Sequence, residues 1–195
     1  LEQVLILHKK IGTGKITGFE FSDGVSLILF DCTLTEDWDI HFIKDYPAPL
    51  QFNFNISGEM WHFLNDDNIH YHLNPLQGSM TASPHGKDQV IKLPGKAKLL
   101  FAVMMINREV YLDKIECVLD KMPEKLESLF KDKDASQSFL YQGNYSLAAA
   151  EIIKKITNDP HTGLVRSTYI EGKSLELLAR QIKQYKDDLL SPGRQ

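Results

Sequence analysis

Short strands broken by turns up to about residue 106, then helical periodicity to the end, predict an α+β chain that is mainly β with C-terminal helices. Two observations carry this. Period-two alternation is plain where Leu50, Phe52, Phe54 and Ile56 interleave with Gln51, Asn53 and Asn55, and turn residues recur between such runs. After Ile106 the apolar residues return by threes and fours instead. Strands first and helices after describe a β domain carrying a helical appendage.

Taken in order, the strand-rich region opens at about Gly18. Val25 to Leu34 is rich in strand formers, and Trp38, Ile40 and Phe42 alternate with polar neighbours. The Leu50 to Ile56 run turns at Ser57-Gly58 into Glu59 to Leu64, and Asn65-Asp66-Asp67-Asn68 turns the chain into Ile69 to Leu73. Ser79 to Ala82, Gln89 to Leu93 and Ala97 to Ile106 complete about eight or nine strands, punctuated by Pro84, Pro94 and Gly95. Glu109 to Leu119 and Pro123 to Phe130 predict short helices, and Lys131 to Ser138 a polar loop. Ser146 caps a predicted helix to Thr157 that Asn158-Asp159-Pro160 stops. A long helix from Leu164 to about Leu189 follows, predicting an antiparallel helix pair. Ser191-Pro192 then reads as the start of another helix, which predicts a further element beyond it. The expected division is a β domain at 1–107, a helical appendage at 108–190 and the start of a linker at 191–195.

Composition narrows the function. The chain has 195 residues, and 22 Lys+Arg against 26 Asp+Glu leave a net charge of -4, which offers no broad basic face to phosphates. Cys32 and Cys117 stand far apart without a C-x-x-C pairing, which suits a reducing compartment. No signal-peptide pattern opens the chain and no apolar run approaches the roughly 20 residues of a membrane span. A cytoplasmic protein without a membrane partner is the expectation.

Candidate chemistry is sparse. Gly12-Thr13-Gly14-Lys15 lacks the spacer of a phosphate loop and has Ile16 where a magnesium-binding hydroxyl belongs, so it reads as a turn between early strands. Asp66-Asp67 reads as a solvated hairpin loop. His70-x-His72 would place two imidazoles on one strand face, with His62 on a neighbouring strand. A metal triad also needs a carboxylate, and Pro75 and Leu76 occupy its place, while His85 lies in a loop; no metal or other cofactor is expected. The paired rings Phe52 with Phe54 and Trp61 with Phe63 are core at strand spacing, and they are also the candidate walls of a ligand cavity, with His70 and His72 as polar contacts. Alternation leaves open whether the histidine face points inward.

Three segments carry a resemblance: Ala97 to Leu112 (Ala-Lys-Leu-Leu-Phe-Ala-Val-Met-Met-Ile-Asn-Arg-Glu-Val-Tyr-Leu), Asn144-Tyr145-Ser146-Leu147, and Thr168-Tyr169-Ile170-Glu171-Gly172-Lys173-Ser174-Leu175-Glu176-Leu177-Leu178. Together they resemble the N-terminal regulatory domain of AraC-type transcriptional regulators, in the branch that contains the pyochelin-uptake regulator. The resemblance implies a cupin-like jelly-roll barrel that binds a small-molecule effector, for which a siderophore or metal chelate is the family's suggestion. It also implies helices that form a homodimer, and promoter DNA as a partner only through a C-terminal helix-turn-helix domain outside this chain. On the last helix, Leu175, Leu178, Ile182, Tyr185 and Leu189 fall on one side at about 100° per residue and are the expected dimer seam. The competing reading is a small metal-dependent cupin enzyme using His70 and His72.

Overall fold

The computed structural model describes residues 1–42, 47–64, 69–144 and 146–190. The Asp66-Asp67 loop and Ser191-Pro192 lie outside the described residues. Among the described residues eleven strands form two antiparallel sheets. The larger holds β1 (Glu2–Ile6), β2 (Gly12–Glu20), β3 (Val25–Leu34), β5 (Leu50–Ser57), β8 (Gly78–Ala82), β10 (Lys98–Ile106) and β11 (Phe139–Gly143), in the order β1-β2-β3-β10-β5-β8-β11. The smaller holds β4 (Trp38–Phe42), β6 (Met60–Leu64), β7 (Ile69–Leu73) and β9 (Gln89–Leu93), in the order β4-β9-β6-β7. The expected mainly β fold with C-terminal helices is present, and its jelly-roll-like sheets form an open sandwich: among the described residues no ladder joins one sheet to the other.

Helices cover the far side of the large sheet, which becomes the middle of three layers. Its central strands are therefore buried on both faces. Val25, Leu27 and Leu29 of β3 join the core shared with the helices, while Phe30, Cys32 and Leu34 face the small sheet. In β10, Ala102, Met104 and Ile106 take the helical side and Leu99, Phe101 and Val103 the other. Phe30 and Phe101 stack 4.1 Å apart between the sheets, an apolar pairing of neighbouring strands.

The helical layer comprises α1 (Arg108–Ile115), a 3-10 turn (Glu116–Lys121), α2 (Glu124–Lys131), α3 (Leu147–Thr157) and α4 (Gly163–Leu190). The single helix expected over Glu109 to Leu119 is thus split. Asn107 caps α1 through its Oδ1, which accepts from the Glu109 and Val110 amides. Ser146 caps α3 as the sequence predicts, its hydroxyl accepting from the Ala149 amide at 3.2 Å. Ser146→Ala is expected to lower stability by about 1 kcal/mol in urea unfolding, leaving the fold unchanged.

The segment joining helix and sheet is held by Arg108, 3% exposed. Its guanidinium donates to the carbonyls of Ala48 and Leu129 and lies 3.6 Å from the Asp132 carboxylate. Burial alone would raise the Asp132 carboxyl. The Ser136 and Gln137 amides, the Ser136 hydroxyl and the Arg108 charge outweigh it and hold the group below its ordinary value.

Two strands differ from expectation. β1 precedes the first predicted strand, and Gly12 to Lys15 begins β2; the chain reverses earlier, where the Ile11 and Gly12 amides donate to the His8 carbonyl. β11, within the expected helical appendage, pairs with β8. Region 108–190 therefore completes the sheet as well as covering it.

The long helix α4 seats Ile170, Leu177, Leu178 and Tyr185 in the core it shares with the large sheet. It approaches closely because Gly78 and Gly143 are register partners. A Cβ on Gly78 would stand 2.8 Å from Gln181 Oε1, and one on Gly143 3.0 Å from Gln184 Nε2. The expected dimer seam is accordingly divided. Leu178 and Tyr185 are buried within the chain, Leu175 and Ile182 are partly covered, and Leu189 is 51% exposed. The cause is that the large sheet takes the centre of the apolar stripe.

Candidate functional site

Strand β5 decides what lies between the sheets. Leu50, Phe52, Phe54 and Ile56 point to the helical layer, so Gln51, Asn53 and Asn55 face the small sheet. Neighbouring β8 repeats the pattern: Met80 and Ala82 turn to the helices, and Ser79 and Thr81 are paired with Asn53 and Gln51. From the small sheet His62 of β6, Tyr71 of β7 and Gln89 of β9 are buried against them. Seven polar side chains thus converge in an otherwise apolar interior, each no more than 6% exposed: Gln51, Asn53, His62, Tyr71, Ser79, Thr81 and Gln89.

They form a connected network. His62 Nε2 is 2.9 Å from Gln89 Oε1, and His62 Nδ1 is 2.5 Å from the Tyr71 hydroxyl. That hydroxyl lies 3.1 Å from Ser79 Oγ, and Asn53 Nδ2 donates to both oxygens, at 3.3 Å and 3.1 Å. Thr81 donates to Gln51 Oε1 at 3.4 Å. Burial pushes the Tyr71 phenol well above its ordinary pKa, outweighing the opposing hydrogen bonds from Ser79, Thr81 and Asn53, so it remains a protonated donor. Asn53 Oδ1 is buried and has no hydrogen-bond partner among the described residues. Asn55 is separate: its amide donates to the carbonyls of Gly58 and Leu73 and pins the following turn.

The expected site residues fall in two other places. Phe52 and Phe54 belong to the core beneath the helices and do not wall the space between the sheets. Trp61, Phe63, His70 and His72 lie on the outer face of the small sheet. There Trp61 stacks on His72 at 4.3 Å, Phe63 on His70 at 5.5 Å, and the Lys92 ammonium sits 5.4 Å from the Phe63 ring. His72 Nε2 is 3.7 Å from a Glu59 carboxylate oxygen. His62, between outward Trp61 and Phe63, points the opposite way and cannot join His70 and His72 around one ion. Among the described residues no three His, Cys, Asp or Glu side chains are grouped to hold a metal.

The buried network was legible in one respect: β5, β6 and β7 each alternate, and the residues interleaved with the named aromatics and histidines are Asn53, His62 and Tyr71. A depression of about 350 Å³ lined by Phe21, Pro49, Met105 and Val110 opens at the end of β10, where Met105 pairs with Gln51 of the polar row.

The fold is similar to that of apo ToxT K231A from Vibrio cholerae strain SCE256, at 12% identity and a TM-score of 0.54, covering 86% of this chain and 59% of that one. The chain therefore spans about three-fifths of that protein's length. Wild-type ToxT from the same strain with unsaturated fatty acid bound aligns at 10% identity and a TM-score of 0.45, covering 80% of this chain and 55% of that one. An oxalate decarboxylase aligns at 9% identity and 0.38, covering 82% and 43%. No curated protein sequence matches the chain. The matching family model, rather than the fold, gives the class: the N-terminal domain of a regulatory protein. Within it, the chain belongs to the family of the regulatory protein PchR N-terminal domain, which matches residues 12–193.

Proposed function

We propose that the chain is the effector-sensing and dimerisation domain of its regulator, and that a small molecule bound between the two sheets controls promoter binding by a DNA-binding domain elsewhere in the protein. The observation that carries this reading is the polar network joining β5, β8 and the small sheet. A scaffold needs only apolar side chains there, and buried polar groups that are not fully satisfied cost stability. The net charge of -4 supports leaving DNA contact to another part of the protein. Membership of a regulatory family supports a sensor rather than an enzyme, acting in the cytoplasm, and makes a siderophore or metal chelate the first effector to test. Titration with iron-loaded and metal-free siderophores, followed by calorimetry, is expected to show saturable binding that Tyr71→Phe weakens about tenfold or more. Equal affinity in wild type and Tyr71→Phe would place the effector elsewhere.

The homodimer is proposed on the flank of α4 that the sheet leaves partly open. Leu175, Ile182 and Leu189 recur every seven residues along it, the repeat of a helix-to-helix seam. Leu189→Glu is expected to shift the chain from dimer to monomer in sedimentation at tens of micromolar, with little change in melting temperature because Leu189 is exposed in the subunit. A dimer unaffected by this change would exclude the flank.

A further inference from the structure

We infer that the effector is uncharged where it meets the network, and that it offers an N–H or O–H donor to Asn53 Oδ1. This rests on the sensing role proposed above and adds the ligand's chemical class. The direction of the hydrogen bonds carries it. Gln89 presents Oε1 to His62 Nε2 at 2.9 Å, so Nε2 carries the imidazole proton and Nδ1 is the acceptor. Nδ1 must then receive its proton from the Tyr71 hydroxyl. With its one hydrogen committed, the Tyr71 oxygen can only accept from its other neighbours, the Ser79 and Thr81 hydroxyls and Asn53 Nδ2. That requirement fixes the Asn53 amide with its NH₂ toward Tyr71 and Ser79, and its carbonyl oxygen faces away. The network ends in one unanswered acceptor.

Charge is selected by what the interior lacks. Among the described residues the buried polar row between the sheets includes no Lys, Arg, Asp or Glu, and the buried Arg108 is committed to Ala48, Leu129 and Asp132 at the helical side. A carboxylate or phosphate placed beside Asn53 Oδ1 would meet a carbonyl oxygen with no cation to offset it in a low-dielectric space. A neutral amide or hydroxyl answers the acceptor at no such cost.

Three probes on one ring separate the possibilities: benzamide, benzoate and toluene. The readout is the side-chain carbonyl ¹³C resonance of Asn53 in wild-type protein labelled at asparagine, so that no variant need fold. Benzamide is expected to move this resonance saturably, at a concentration at least about tenfold below any effect of benzoate, with toluene leaving it in place. Benzoate acting as well as benzamide would overturn the neutral-donor inference and leave the sensing role standing. If the siderophore titration saturates while no probe moves Asn53, the inference also falls alone, and an ordered water is what answers the amide. If neither titration shows binding between the sheets, the sensing role falls with it.

Discussion

Leu178→Glu is expected to unfold the helical layer, lowering the stability of the isolated chain by roughly 4 kcal/mol or more. Leu178 is 3% exposed and belongs to the core that α4 shares with the large sheet. The substitution removes a fully packed leucine and forces a carboxylate into its place, so the cost is paid inside one subunit before association is considered. Urea unfolding followed by circular dichroism reads it directly. A variant with the wild-type midpoint would show that this part of α4 does not seat on the sheet, and the heptad-seam assignment from sequence would regain its place.

Asp132→Ala has an effect of similar size, about 3–5 kcal/mol, because it leaves the Arg108 guanidinium buried without its anion. Burial already works against that charge, lowering the Arg108 pKa, and Asp132 is what opposes the shift. The same pair sets an acid limit. The folded-state pKa of Asp132 lies below its ordinary value, so its contribution is fully present above about pH 4 and is lost as pH falls through the folded value. Wild type is expected to lose stability in that acidic window, and Asp132→Ala to show a flatter profile across it. Parallel acid profiles for the two proteins would contradict the assignment.

Alternation gave the strands from Val25 to Ile106 closely, and helix capping gave α3, because these signals are local and repeat over several residues. β1 and β11 escaped because neither alternates: Glu-Gln-Val-Leu-Ile and Phe-Leu-Tyr-Gln-Gly each group their apolar residues together, and β11 lies among helices. The face of β5 was the consequential difference. A sheet with water on one side has one apolar face, and its direction is then known. Here both faces are buried, so Phe52 and Phe54 could serve either layer, and they serve the helices. The polar partners Gln51, Asn53, Ser79 and Thr81 were therefore the residues that face the other sheet. Nothing in a single strand says which layer lies on which side; that depends on the helices added a hundred residues later.

One strand spans both halves of this arrangement. β8 presents Ser79 to the Tyr71–Asn53 network, and its preceding residue, Gly78, supports Gln181 of α4. A peptide unit is planar and nearly inextensible, so these two contacts, one on each side of the sheet, cannot move independently. A displacement of Ser79 is therefore expected to reach, within one residue, the place where Gly78 meets the Gln181 side chain of α4. Gly78 and Gly143 add no side chain of their own to this contact, which rests on Gln181 and Gln184 from the helix side. The interior and the longest helix are thus separated along this path by one residue of backbone and one glutamine side chain.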